Sequence, residues 1–414
     1  MAAYLRGLNP NLSRSTWTLL SGSFANALGN GVVFPFLLIY LHDVRGISLG
    51  TAGLVLAVTS VGGLVGGPLS GTLIDAVGAR AVLVGSLVLS AVGYGAFALV
   101  HHAGPAFGAG VLAGLGSGSF WPAHASMVAA LTERDSRHNA YAMQRVLNNL
   151  GIGVGGVVGG FIASTAHPRT YELLFVIDAL TFGAYMIALA FVPTPRRERA
   201  VEHAVRGGYL HVLRHKTFIA YIVLNASLVA LGFSLLGDIF PAFAKNDAGV
   251  SERGIGLCFL ANTLVIVVAQ LPVAKWLEGR RRMAAYTVEG TIWAVAWLIV
   301  FAGGWWLSGG NATLVFALAL AVFGIGECFH GTVQNALIAD LSQPALLGRY
   351  LALNGFGFQL GGAAGRAVGG FALAFEPHAL WIVAAAIAFG VGLAALLYER
   401  LLPENVRRTP VPAS

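Results

Sequence analysis

The sequence predicts an all-α membrane protein, with twelve transmembrane helices arranged as two six-helix pseudo-symmetric bundles. Three observations predict it. Of 414 residues, 57% are hydrophobic and only 10% are Asp, Glu, Lys or Arg, at a mean hydropathy of +0.75; a soluble domain carries roughly 25% charge. The apolar residues fall into twelve runs, each long enough to cross a bilayer as a helix. The two halves of the chain also match each other in sequence.

The first run, near 16–41, follows the polar start MAAYLRGLNPNLSRS. It is too long for a signal-peptide core and is expected to be a retained helix. Runs near 49–76, 80–101, 105–131, 139–166 and 170–193 follow, broken by short polar or glycine-containing turns. The second six lie near 217–243, 252–277, 283–307, 312–340, 348–375 and 377–402. Their length and lack of alternation exclude barrel strands, and in lipid only helices then satisfy every backbone polar group. Twelve spans of about 24 residues use about 290 residues, which leaves no room for a sizeable extramembrane domain. The expected organisation is an N-terminal bundle over 1–193, a linker over 194–216 and a C-terminal bundle over 217–414. The linker region, PTPRRERAVEHAVRGGYLHVLRHK after Val192, is the longest connection, and its charges suit a solvated segment touching anionic headgroups.

An even number of spans puts both termini on one side. If that side is cytoplasmic, it carries every Lys and Arg except Arg45, Arg169, Lys245 and Arg253, which fall outside, and Arg366, which falls within a span. The positive-inside rule therefore places both termini in the cytoplasm, and the net charge of +7 reports orientation. Usage of 22 Arg against 3 Lys points to a bacterium, hence to a multi-pass protein of the bacterial inner membrane. Cys258 and Cys328 lie in apolar runs without metal or redox spacing and read as small core residues. No Ser-His-Asp set, metal triad or phosphate loop is present in the sequence, so neither an enzyme nor a cofactor is expected. The composition equally excludes a nucleic-acid binder.

The internal repeat is the most informative feature. LGIGVGGVVGGF (150–161) matches LGGAAGRAVGGF (360–371) at seven of twelve positions, with Gly156 opposite Arg366. A duplicated six-helix unit around a central site is how many secondary transporters alternate access. In the fifth run, Gly151, Gly155 and Gly159, with Gly156 and Gly160 beside them, offer a flat face for close helix packing. Between the second and third runs, Gly71 and Gly78 permit a tight turn. Asp75 can accept from backbone N–H groups or an arginine there, and Arg80 can hold a neighbouring helix end.

The tenth run holds Glu327, His330, Gly331 and Gln334 at i, i+3, i+4 and i+7, which places them along one side of a helix. Glu327 lies thirteen residues from Asp340, about 20 Å at 1.5 Å per residue and so near mid-membrane. An ionised carboxylate is expensive at that depth, so Glu327 suits a proton carrier or a partner for a cationic substrate, with a hydrogen-bonded structural acid as the plainer reading. Arg366 needs a carboxylate, for which Glu327 and Asp238 are the candidates; coupling and a structural ion pair both remain open. Asp238, near the outer end of the seventh run, is either an entrance residue or an interfacial acid. Asp178 reads as a structural partner, and Glu289 as an acid snorkelling toward Arg280, Arg281 and Arg282. Arg145, Asn148 and Asn149 form a stripe that faces either a cavity or a neighbouring helix. The scattered aromatic residues read mostly as packing or lipid-facing groups.

The loop Gly71-Thr-Leu-Ile-Asp75-Ala-Val-Gly78-Ala-Arg80 and the six-plus-six repeat resemble the major facilitator superfamily across essentially the whole chain. Ala79 stands where that family usually has a basic residue. The resemblance implies that Asp75, Arg80, Gly71 and Gly78 gate the conformational change. The fifth-run glycines resemble the helix-5 motif of drug:proton exporters, with Gly156 in place of the motif's proline. Glu327, Gln334, Asp340, Pro344 and Gly348-Arg349-Tyr350 together look like helix 10 of bacterial multidrug:proton antiporters of the 12-helix type. The likeness implies proton-coupled efflux of amphipathic compounds, driven by the proton gradient. In those antiporters the helix-10 glutamate is a coupling or substrate-binding residue, which implies that role for Glu327; Asp238, Arg366, His330, Gln334 and Asn149 are the further candidates that their own positions in the spans put forward. A helix-4 arginine common in proton-coupled members is absent here, with Gly110 in its place. The expected partners are a small-molecule substrate, protons and membrane lipids, and a monomer is expected. The alternatives are metabolite uptake or facilitated diffusion, with Arg366 binding a sugar or organic anion, and a lipid flippase on the same fold.

Overall fold

A computed structural model describes residues 12–133, 136–194, 209–342 and 346–409. Most of the linker, the first eleven residues and Pro344 of the helix-10 pattern lie outside the described residues. The described chain forms twelve long helices and no strand. They are α1 (Arg14–Val44), α2 (Leu49–Val77), α3 (Ala79–Phe97), α4 (Ala103–Leu131), α5 (Arg137–Ile162) and α6 (Arg169–Ala190), then α7 (Lys216–Asn246), α8 (Glu252–Leu277), α9 (Arg282–Trp306), α10 (Gly309–Leu341), α11 (Leu347–Phe375) and α12 (Pro377–Tyr398). Ten of them are both long and apolar enough to cross a membrane by length and hydropathy. The other two, α4 and α11, have the length, but their glycines and polar residues dilute the hydropathy.

Helix starts follow local chemistry. The hydroxyls of Ser13, Ser48 and Ser251 accept from the amides of Thr16, Thr51 and Gly254 and satisfy donors that the first turn leaves free. At the α2–α3 turn Gly78 has φ +91°, where a side chain would be strained, so one residue reverses the chain. Two helices carry π turns near one face of the molecule, Tyr40–Val44 at the end of α1 and Leu235–Ile239 within α7.

Glycine decides the packing. A β-carbon at Gly155 would stand 2.9 Å from the Cα of Gly31, and Gly151 and Gly159 press equally on the α1 backbone at Phe24 and Val32. The repeat places Gly361 and Gly365 against Ala226 and Ala230 of α7 in the same way. Within each half the fifth helix therefore lies on the first, as the duplicated sequence requires. Gly156 and Gly160 occupy the other side of α5 and meet Phe259, Glu252 and Gly256 of α8, so they serve the contact between halves. The counterpart contact is α2 on α11, where Gly53 meets Gly370 and Gly50 meets Phe371. Helices α3 and α6 pack on the outside of the first half, and α9 and α12 on the outside of the second.

One face collects the α2–α3, α4–α5 and α8–α9 turns, the chain after α12 and most of the Lys and Arg residues; it is here the basic face, and the opposite one the far face. The α5–α8 and α2–α11 glycine contacts lie in the far-face parts of those helices. Toward the basic face, Val65, Leu69 and Leu73 of α2 and Val267, Val268 and Leu271 of α8 are exposed. The glycine contacts thus clasp the halves at the far face.

Candidate functional site

Glu327 sits where α5, α8 and α10 meet. Its Oε1 accepts from Asn262 Nδ2 at 2.9 Å, and the same amide donates to Leu320 O at 3.1 Å. From the other half, Arg145 Nη1 donates to Gly331 O at 3.1 Å. The guanidinium lies in the space that a side chain at position 331 would take. Arg145 and Glu327 attract each other electrostatically. Glu327 is half-buried, unlike the Cys328 and Phe329 beside it. The arrangement is a carboxylate inside the bundle that accepts from one amide of its own half, lies within the electrostatic reach of one cation of the opposite half, and keeps part of its surface accessible.

The predicted stripe of α10 does not act as one face. His330 turns away from Glu327 toward α9, where its Nδ1 lies 2.9 Å from Glu289 Oε1. Phe233, Tyr286 and Trp293 surround the imidazole. Residues three apart on a helix diverge by about 60°, enough to point into different neighbours in a tight bundle. Glu289 is 0% exposed, so it does not snorkel to Arg280–Arg282; His330 is its partner. Arg282 pairs instead with Asp340 at 2.5 Å, and Arg281 with Glu399 at 2.7 Å. Gln334 on α10 and Asn149 on α5 are half-buried nearer the basic face.

Arg366 has Asp238, not Glu327, as its acid. Its Nε donates to Asp238 Oδ2 at 2.8 Å, and its Nη1 donates to Ser60 of α2. Asp238 is therefore a buried ion-pair partner rather than an interfacial acid. The pair joins α7 and α11 to α2 across the halves. A second cross-half cluster lies closer to the far face. Glu252 Oε1 accepts from Lys245 Nζ at 2.8 Å, from the Thr165 amide at 3.0 Å and from Tyr171 Oη at 3.2 Å. Arg253 stacks over Phe161 at 5.2 Å beside it. Together these contacts seal the far face.

The α2–α3 loop places its residues at the basic face. Arg80 Nη1 donates to Val192 O at 2.7 Å and to Thr194 Oγ1 at 2.9 Å, and so holds the end of α6. Asp75 is exposed on the last turn of α2, and no atom lies within 4 Å of where a β-carbon of Gly71 would stand. Asp178 is fully buried beside Thr181, where Gly29 of α1 leaves room for both. Among the described residues no group of three or more His, Cys, Asp or Glu could hold a metal.

Ser60, Asn262, Lys245 and Glu252 escaped the sequence reading. Asn262 carried the clearest available signal, a lone amide in an apolar run. Glu252 and Lys245 looked like ordinary residues at span ends.

A family model described as the Major Facilitator Superfamily matches residues 19–236 and 222–413. The uncharacterized MFS-type transporter YqjV of Bacillus subtilis is 24% identical over 406 residues, covering 95% of each chain. The multidrug resistance protein MdtH of Aeromonas hydrophila is 26% identical over 363 residues, covering 86% of each. Among solved structures, a peptide transporter POT in complex with sulfate superposes with TM-score 0.76 at 15% identity, covering 95% of this chain and 96% of that one. The nucleoside transporter NupG superposes with TM-score 0.71 at 13% identity, covering 93% and 99%.

Proposed function

This chain belongs to the Major Facilitator Superfamily and is a multi-pass membrane transporter, and from that premise we propose that it exports small amphipathic compounds, cationic or neutral, in exchange for protons. The observation that carries the reading is Glu327, a half-buried carboxylate deep in the bundle that accepts from Asn262 and lies in the field of Arg145, a cation of the opposite half that is anchored on Gly331 O. An acid in that setting is neutralised at little cost by a proton and at comparable cost by a substrate cation. Competition between the two couples them: substrate entering from the basic face displaces the proton, and reprotonation from the far side expels the substrate. Arg366, Asp238, Lys245 and Glu252 form the latch that must open once per cycle. His330, Gln334 and Asn149 support the site from its flanks. Asp75, Arg80, Gly71 and Gly78 govern the basic-face latch, and the glycines of α5 are the surfaces on which the halves rock.

The clustering of Lys and Arg supports a cytoplasmic basic face with both termini inside, in a bacterial inner membrane. The proton gradient is the energy source, no bound cofactor is required, and a monomer suffices. The multidrug name of one set of relatives agrees with this substrate class. Everted vesicles carrying the protein and a trapped pH dye test it. Adding a lipophilic cation should make wild-type vesicles release protons while Glu327→Gln vesicles do not. Identical traces from both would sink the proposal.

A further inference from the structure

The chain after α12 returns to the α8–α9 turn and is stitched to it by backbone bonds: Gly279 N to Thr409 O at 3.2 Å, Thr409 N to Arg280 O at 2.9 Å and Arg282 N to Arg407 O at 2.8 Å. This strap closes one side of a cavity of about 660 Å³ whose other wall is the last turns of α12. Arg281, Arg400 and Arg407 line it with a single acid, Glu399. Glu399 is already neutralised by Arg281 through two bonds, at 2.8 and 2.7 Å. Arg400 and Arg407 have no acidic side chain within ion-pair distance among the described residues. The remaining wall is apolar, and it includes Leu393 and Leu397, 43% and 63% exposed. Those leucines belong to a membrane-spanning helix on the outside of the bundle, so acyl chains are what they meet.

A cationic mouth at the membrane interface above an acyl-facing wall has the chemistry of a phospholipid with a negative headgroup. We propose that this cavity is a binding site for an anionic phospholipid, with Arg400 and Arg407 on the phosphate and Leu393 and Leu397 along the first methylenes. Arg281 and Glu399 form its floor. The exporter reading and this site are independent, since the cavity lies outside the bundle axis and Glu327 takes no part in it.

Native mass spectrometry of the purified full-length protein, titrated with phosphatidylglycerol or with phosphatidylcholine of the same chains, tests the site. Wild type should retain phosphatidylglycerol in clear preference. An arginine near the membrane surface contributes roughly a fivefold factor, so R400Q/R407Q should lose about thirtyfold in apparent affinity and Arg400→Gln alone about fivefold. Arg400→Gln changes only an exposed turn, so it keeps the test alive if the double variant does not fold. Removing the same charge elsewhere on the basic face, with Arg214→Gln and Lys216→Gln together, should leave the preference intact. Millimolar inorganic phosphate should not compete. No preference in wild type, an equal loss in the Arg214 and Lys216 control, or displacement by free phosphate would each overturn the proposal.

Discussion

Replacing Asp238 by alanine should open the far face. The substitution removes the one acid paired with Arg366 among the described residues; the Arg366 side chain is 24% exposed against 9% for that of Asp238. Breaking a buried pair by deleting one partner costs about 3–5 kcal/mol, because the remaining charge is left unpaired. Arg366 keeps its bond to Ser60 and some exposed surface, so the lower end, about 3 kcal/mol, applies. That cost falls on the clasped form alone, since parting α2 from α11 and α7 gives the guanidinium water. Such a difference shifts an equilibrium between closed and open far faces by more than about a hundredfold. Spin labels at His102 and Glu376, on opposite halves of the far face, would report it as a longer distance population in pulsed electron resonance. Pairing Asp238→Ala with Arg366→Met removes the orphaned charge and should restore most of the short population. An unchanged distance distribution in Asp238→Ala, or a double variant no closer to wild type than the single one, would refute the latch.

Three further outcomes follow from the packing and the polar contacts. Gly155→Val should destabilise the purified protein by about 1–3 kcal/mol, as overpacking does, whereas Gly183→Ala, with no atom within 4 Å of the new methyl, should be neutral; thermal unfolding of the two variants compares them. Glu252→Gln weakens the acceptor that Thr165, Tyr171 and Lys245 share, so the Thr165 amide should exchange its hydrogen faster by mass-resolved exchange, with no change at the Ala163 amide, which bonds Gly159 O. Burial, and then the neighbouring His211, hold the His215 imidazole below the usual histidine range. The folded state thus binds this proton less readily than the unfolded one, and stability should fall as pH drops below about 6.5. In His215→Asn the acid limb of the melting curve should be shallower, and an identical limb would contradict the assignment.

Much of the architecture was legible because it rests on periodic or counted signals. Twelve apolar runs gave twelve helices, with ends displaced by a few residues, such as 139–166 becoming Arg137–Ile162. The duplicated glycines announced two equivalent helix contacts, and Gly155 and Gly365 make them. Counting along α10 put Glu327 deep in the bundle. Pairings across helices were not legible, because no periodicity encodes which helix faces which. Arg366 had two candidate acids, and only the packing of α7 against α11 selects Asp238. Glu289 looked close enough to the arginines at 280–282 to reach them, yet its position on α9 points it inward to His330. The sealing residues Glu252 and Lys245 have ordinary span-end chemistry and become special only when α8 meets α5 and α6.

In the proposed cycle one carboxylate, Glu327, is the group over which proton and substrate compete. Proton release measured on the purified protein in weakly buffered detergent tests this most directly. Adding a lipophilic cation should acidify the wild-type solution in proportion to bound ligand and leave Glu327→Gln silent while that variant still binds a neutral ligand. Equal acidification by Glu327→Gln, or stoichiometric cation binding by wild type without any proton release, would contradict it.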